Sequence, residues 1–468
     1  MVSHFVNSNP DMQLLAPLAL LPGGWKTDVL MDVDRRGYIT RVAFDQHGIG
    51  GKVQQLPGPV LPGISNLHSH AFQRAMTGLT ERRGPAQDDF WTWRETMYDF
   101  VSKLTPDAVE AVACQLYVEL LEAGYTGVAE FHYLHHDQDG RAYADIAETS
   151  NRIVTAARTA GIFLTHLPVL YTRGGFDGAP LVPNQRRFAN DGGRFCTLLE
   201  TLRRSYANDN DVRLGIALHS LRAVDPATMG EVLKFAETQD ARTPVHIHIA
   251  EQTREVEECI ARCGARPVQW LFDNAPVDDR WCLVHATHAN AEELAAIASS
   301  GAVAGLCPTT EANLGDGLFP AERYLALNGR FGIGSDSQVS TSPAEELRLL
   351  EYGQRLTARR RAVLAAGTGA SVGRTLYDAA ARGGAQALGV NAGAIAPGAR
   401  ADLVVLDTES AALCARNEDA LLDTLIFFGG KPALKEVWVA GRRVVSEGRH
   451  PRRAEVLEGF KSALNTLN

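Results

Sequence analysis

The sequence predicts an α/β protein: a closed (β/α)8 TIM-like barrel joined to a small β-sandwich domain that the N- and C-terminal segments build together. Three observations carry this. Between about residues 61 and 345, eight short apolar, β-branched-rich runs alternate with segments of helical period. The flanks differ, since residues 1–60 and the region after 395 are rich in Val, Leu, Gly and Pro and read as short strands with turns. At 468 residues the chain also exceeds what one ordinary hydrophobic core holds, unless a large barrel takes most of it. The predicted layout is 1–60 as the first part of the β-domain, 61–395 as the barrel, and 396–468 as the second part with a C-terminal tail.

Each element follows from a local pattern. The stretch LLAPLALLPGGW near the N-terminus is apolar but interrupted by proline, with no basic segment before it and no small-residue cleavage site, so it reads as a strand and not as a leader. The eight barrel runs are LPGISNLHSH, GYTGVAEFHY, IFLTHLPVLY, VRLGIALHS, TPVHIHIAE, WCLVHATH, VAGLCPTT and FGIGSDSQ. Between them lie DAVEAVACQLYVELLEAG, ADIAETSNRIVTAARTAG, PATMGEVLKFAETQ and NAEELAAIASSG, several ending in the glycine that commonly follows a helix C-terminus. Eight strand-helix units in series favour a closed barrel over an open sheet, with the chemistry at the C-terminal strand ends. PGARADLVVLD and KEVWVAGRRVVSEGR alternate like strands, and pairing the two chain ends makes one small β-domain.

Composition narrows the function. Hydrophobic residues at 45% and charged residues at 22% are those of an ordinary globular enzyme. The 55 acidic residues outnumber the 46 basic ones, the formal charge is −9, and no basic run follows a phosphate backbone, which argues against nucleic acid as the partner. Seven cysteines without a CxxC pair suit a reducing cytoplasm, and no apolar run is long enough to span a bilayer.

Side chains at i and i+2 of a strand share a side, so His68 and His70 converge at the end of the first run. The fifth run ends in His246, His248 and Glu251, the sixth in His285 and His288, and the eighth in Asp336. In a barrel these ends meet around one mouth. Three imidazoles and one carboxylate drawn from them suit a borderline divalent ion such as zinc, with iron also acceptable to the set. An ion so held lowers the pKa of a water towards neutrality, and the expected chemistry is hydrolysis at an electrophilic carbon. Plainer readings stand beside this one. His246 and His288 are expected to pack or support, His132, His135 and His136 to form a solvent-facing loop, and Cys259 with Cys263 to lie on a helix face. FWTWRETMY is expected to be an aromatic lid around an arginine.

HSH, HIHIAE, LVHATH, GSDS and the tail GAIAPGARADLVVLD together resemble the amidohydrolase superfamily. The resemblance implies metal ligation by His68, His70, His248 and Asp336, and catalytic roles for Glu251, His285 and Asp336. The fourth run lacks the lysine that bridges two metals in many members, which implies one divalent metal ion, Zn2+ by preference. SNLHSHAFQRAMTGLTERRG, FWTWRETMY, EFHYLHHD and ALHSLRAV are similar, more narrowly, to the deiminases that release ammonia from N-formimidoyl-L-glutamate. Gln73, Arg94, Tyr133, His219 and Arg222 match substrate-binding positions of that family, and a homodimer is implied. Such a dicarboxylate needs planar cationic forks, which Arg94 and Arg222 supply, since an acidic chain does not draw in a dianion from a distance. Two alternatives remain at this point: a deaminase of purine or pyrimidine bases, and a non-catalytic barrel scaffold.

Overall fold

The computed structural model describes residues 11–46, 52–83 and 88–467, so the first ten residues of the predicted β-domain lie outside the described part. Eight parallel strands build the barrel: Ile64–Ser69, Tyr125–His132, Phe163–Leu170, Val212–Leu214 continued by Ile216–Ser220, Val245–Ile249, Trp281–His285, Val303–Leu306 and Arg330–Ile333. Seven fall inside one of the eight apolar runs, and the last begins one residue before its run, at Arg330. They pair in chain order around the sheet, and nearly every residue in them is buried, because helices cover the outside while opposite strands fill the inside. That double burial is why the runs show no polar alternation.

Closure comes where the chain has just left the eighth strand. Asp336 N–H donates to the His68 carbonyl at 3.0 Å, and His70 N–H donates to the Asp336 carbonyl at 3.1 Å, a parallel bridge between the first strand and the end of the last. The intervening helices start and stop on the expected signals. Thr105 and Asp225 cap helices that begin with Pro106 and Pro226, and Gly161 and Gly301 end helices in the left-handed conformation.

The chain ends meet in a second, mixed sheet of strands Met12–Leu21, Gly24–Val33, Ile39–Ala43, Val53–Gln55, Val60–Pro62, Leu403–Leu406, Leu434–Val439 and Arg442–Ser446. The seam is antiparallel pairing of Val60–Pro62 with Leu403–Leu406, so the strand entering the barrel is held by one that has left it. Arg400, buried, pairs with Asp402 at 3.3 Å and Asp211 at 3.0 Å. The tail is a further helix, Arg453–Leu467, whose Phe460 packs with Ala75 and Val112 beside the barrel.

Two features bear on stability. The helix Val372–Leu388 lies directly on the closing strands: a Cβ at Gly384 would stand 2.7 Å from the Ser65 carbonyl oxygen, and one at Gly383 would overlap the Phe331 carbonyl. Only glycine permits that approach. The other corrects an expectation. His132, His135 and His136 are not a solvent-facing loop; they are buried, at 2%, 4% and 5% exposure. Their ring nitrogens meet Thr149 Oγ1, the Val169 carbonyl and the Ala189 carbonyl. Arg187, on the turn Pro183–Phe188, covers them and donates to the His136 carbonyl, which a local pattern of polar residues does not reveal.

Gly383→Ala should lower stability by about 1–3 kcal/mol, measured by urea unfolding. Burial also depresses the pKa of His135 to about 4 and of His166, beside His132, to about 3. Below about pH 6.5 the unfolded chain takes up protons that the folded one refuses, so stability falls as pH drops from there towards the folded values. His166→Leu should therefore lose less stability than wild type between pH 6.5 and pH 4, in urea midpoints taken across that range.

Candidate active site

The barrel mouth gathers the strand-end residues into one cluster. His68 Nε2 lies 3.0 Å from His248 Nε2 and 3.4 Å from Asp336 Oδ1, and His70 Nε2 lies 3.3 Å from the same oxygen. His285 Nε2 stands 3.8 Å from Asp336 Oδ2 and 3.7 Å from Glu251 Oε1. The backbone is bent to reach this arrangement. His285, Ala286, Ala250 and Asp336 all have positive φ, at 69°, 49°, 50° and 44°, strain of about 1–3 kcal/mol each that the surrounding packing must hold.

The donor chemistry fits a divalent cation. His248 Nδ1 meets the His219 carbonyl at 2.8 Å and His70 Nδ1 meets the Phe131 carbonyl at 3.0 Å. A carbonyl only accepts, so each Nδ1 carries the proton and each Nε2 turns a lone pair into the cluster. Burial lowers the pKa of His68 to about 3, and lowers His70 and His248 as well, so the three imidazoles are neutral, the state that binds metal. Facing lone pairs 3.0 Å apart repel unless a cation or a proton lies between them. Burial would raise the Asp336 carboxyl, yet its close approach to His68, with His70 and His285 nearby, holds it below the usual carboxylate range.

The remaining two groups go the other way. Burial would lower His285, but Glu251, Glu311 and Asp336 lift it to about 10. Burial raises Glu251 to about 7, against the pull of His285 and Arg222. A carboxyl poised near neutrality beside a cationic imidazole is suited to passing protons in both directions.

These groups open into one cavity, lined by His70, His248, Glu251, His285 and Asp336 and also by Gln73, Arg94, Tyr133, His219 and Arg222. His68 lies just behind, fully buried. The structure thus brings every sequence-predicted site residue to one place. Gln73 Nε2 donates to Tyr133 Oη at 3.3 Å, while Gln73 Oε1, Arg94 Nε and Arg222 Nη1 are buried without a partner. Burial alone would lower Arg222, but Glu255, Tyr171 and Glu251 keep it firmly charged. Trp91 stacks under both guanidiniums, 4.6 Å from Arg94 and 5.2 Å from Arg222. FWTWRETMY forms the first nine residues of helix Phe90–Val101, capped by Asp89, and it roofs the cavity.

His246 and His288 lie apart from the cluster, bound to the Ala387 and Asp316 carbonyls at 2.8 Å each. Cys259 is buried on the helix Thr253–Cys263 and Cys263 half-buried. Sequence reasoning missed other members. Tyr98, Tyr171 and Phe188 line the cavity, and Gln185 Nε2 donates to Tyr98 Oη at 3.2 Å and Tyr171 Oη at 3.0 Å. Three buried carboxylates stand behind the cluster. Glu130 accepts from Ser69 Oγ and Ala71 N–H, both at 2.7 Å; Glu255 accepts from Glu251 N–H at 3.0 Å; Glu311 meets His285 Nδ1 at 3.2 Å. Extending the strand-end search from histidine to carboxylates a turn further on, as in CPTTE, is the signal that finds Glu311.

A parallel barrel with such a cluster at its C-terminal mouth, flanked by a sheet from both chain ends, defines a class. The chain belongs to the amidohydrolase family, whose model matches residues 60–444. It is 53% identical to the formimidoylglutamate deiminase of Pseudomonas aeruginosa over 454 residues, covering 97% of this chain and 99% of that one. Among solved structures, an amidohydrolase from Brucella melitensis is 48% identical with a TM-score of 0.92, over 98% of this chain and 100% of that one. An adenosine deaminase from Xanthomonas campestris with bound zinc shares the fold, with a TM-score of 0.80 at 20% identity over 98% of each chain.

Zinc should bind at one equivalent and raise the melting temperature, measured by metal analysis and calorimetry. His248→Ala should retain below about a tenth of an equivalent, because it takes away an imidazole whose Nε2 faces the cluster.

Proposed function

We propose that the chain hydrolyses N-formimidoyl-L-glutamate to N-formyl-L-glutamate and ammonia, a step of histidine degradation. The observation that carries this is the full-length, 53% identity to the formimidoylglutamate deiminase of Pseudomonas aeruginosa. The chemistry of the cavity supports it, since two arginines with buried, unpaired N–H groups face a proton-handling cluster across one small chamber.

In this reading His68, His70, His248 and Asp336 hold one zinc ion. Bound there, the ion supplies Lewis acidity and a water of lowered pKa. Arg94 and Arg222 take the two carboxylates, each able to offer a planar pair of donors, with Trp91 beneath them fixing their planes. Gln73, Tyr133 and His219 surround the formimidoyl head, and burial keeps the Tyr133 phenol protonated and so a donor. Asp336 accepts a proton from the attacking water. Glu251 carries a proton to the departing nitrogen, from a resting pKa of about 7 that lets it both accept and donate. His285, charged at neutral pH, stabilises negative charge as it develops on the reacting centre. The same reading makes the protein a cytoplasmic homodimer, checked by sedimentation of the purified chain.

The test is ammonia release by the zinc-loaded protein from formimidoylglutamate, with guanine, cytosine and adenosine in parallel. Ammonia from a base and none from formimidoylglutamate overturns the reading. Arg222→Leu should raise KM roughly 30–100-fold with zinc content unchanged, the cost of about 2–3 kcal/mol for losing a charged hydrogen-bonding pair.

A further inference from the structure

Helix Pro308–Leu314 follows the seventh strand and carries Glu311, which no sequence pattern assigned to the chemistry. Glu311 is buried, at 3% exposure. Glu311 Oε1 lies 3.2 Å from His285 Nδ1 and accepts the Cys307 N–H at 2.9 Å. The helix is fixed in turn: Glu311 N–H donates to the Cys307 carbonyl at 2.9 Å, and Asp316 N–H to the Glu311 carbonyl at 2.9 Å.

The imidazole it touches needs holding. His285 ends its strand at φ 69° and is followed by Ala286 at 49°, so its Cα–Cβ direction comes from a left-handed turn instead of a regular ladder. An imidazole has two orientations related by a half-turn about its Cβ–Cγ bond, and they place different atoms towards the cavity. With Nδ1 on Glu311, Nε2 faces Glu251 Oε1 at 3.7 Å and Asp336 Oδ2 at 3.8 Å. After the half-turn, carbon atoms take both positions. A carboxylate only accepts, so His285 Nδ1 carries a proton and donates it to Glu311.

We propose that Glu311 is a positioning residue for catalysis: its carboxylate fixes the orientation of the His285 ring, and so directs Nε2 at the reacting centre. The inference rests on the deiminase reading, in which His285 acts on that centre. Glu311 does not line the cavity, and its carboxylate bonds His285 and the Cys307 N–H rather than the side chains of the proposed metal ligands, so its loss should appear in turnover and not in binding.

Wild-type ammonia release from formimidoylglutamate is measured first; its absence sinks the deiminase reading by itself. Given an active wild type, Glu311→Ala should lower kcat about 100-fold or more, the size of a misdirected proton-handling group, with KM within about threefold and zinc content unchanged. Glu311→Gln keeps an acceptor for both N–H groups but not the charge, and should lose about tenfold in kcat at an unchanged melting temperature. Where the alanine variant fails to fold, the glutamine variant decides. A kcat within threefold of wild type in Glu311→Ala, or an unchanged kcat in Glu311→Gln, overturns the proposal. So does an effect confined to KM, or a loss of zinc that accounts for the loss of activity.

Discussion

The active site depends on how the barrel closes. Two backbone hydrogen bonds, from Asp336 N–H to the His68 carbonyl and from His70 N–H to the Asp336 carbonyl, join the first strand to the chain leaving the last. They set the aspartate carboxylate against both imidazoles at 3.3–3.4 Å, so the step that completes the sheet also completes the cluster. Behind the junction a chain of buried polar groups holds the register. Asn66 meets Ser335 at 2.6 Å, Ser335 meets Gln338 at 2.7 Å, Gln338 reaches Ser69 at 3.1 Å, and Ser69 reaches Glu130 at 2.7 Å. Glycines 383 and 384 let a helix press on the same strands from outside. Each buried donor here has its acceptor, which is the condition under which a buried polar network stiffens a structure.

Within that frame, burial alone does not decide the charge of any group. The ligand-type histidines and His285 are equally buried, yet His68 falls to about 3 while His285 rises to about 10. The difference lies in neighbours: His68 has other imidazoles at close range with one carboxylate, whereas His285 sits among Glu251, Glu311 and Asp336. The site therefore separates neutral bases that suit a cation from a cationic imidazole that suits a developing anion, with the His68 and His285 ring centroids 6.1 Å apart. The chain as a whole carries −9, so in the proposed reaction the affinity for a dicarboxylate would rest on Arg94 and Arg222, which share the Trp91 indole.

Much of this was legible in sequence. The eight strands stood out because each is buried on both faces and so reads as a continuous apolar run, and the strand-end histidines stood out because nothing in a core calls for them. The HSH pair, His248, Glu251, His285 and Asp336 were visible for that reason, and Gln73, Arg94, Tyr133, His219 and Arg222 through resemblance. Glu311, Glu255 and Glu130 were not, since a carboxylate in a helical segment looks like a solvated face until the fold buries it. His132, His135 and His136 were misread for the converse reason: a polar run after a strand looks exposed, and only Arg187, some 50 residues on, covers it. The C-terminal helix gave no sign of its partner, because its amphipathic face names no target.

What the sequence determined by itself is the periodicity, and with it the elements, their order and the residues at each strand end, because these depend on neighbours a few positions apart. What tertiary structure decided is every quantity that depends on distance between strands: which imidazole faces which carboxylate, which nitrogen carries the proton, and which groups are charged. Those follow from contacts across 60 to 270 residues of chain, such as Ser69 with Glu130 and His68 with Asp336. Coulomb energies and desolvation vary with ångströms and not with sequence separation, so they exist only once the barrel has closed.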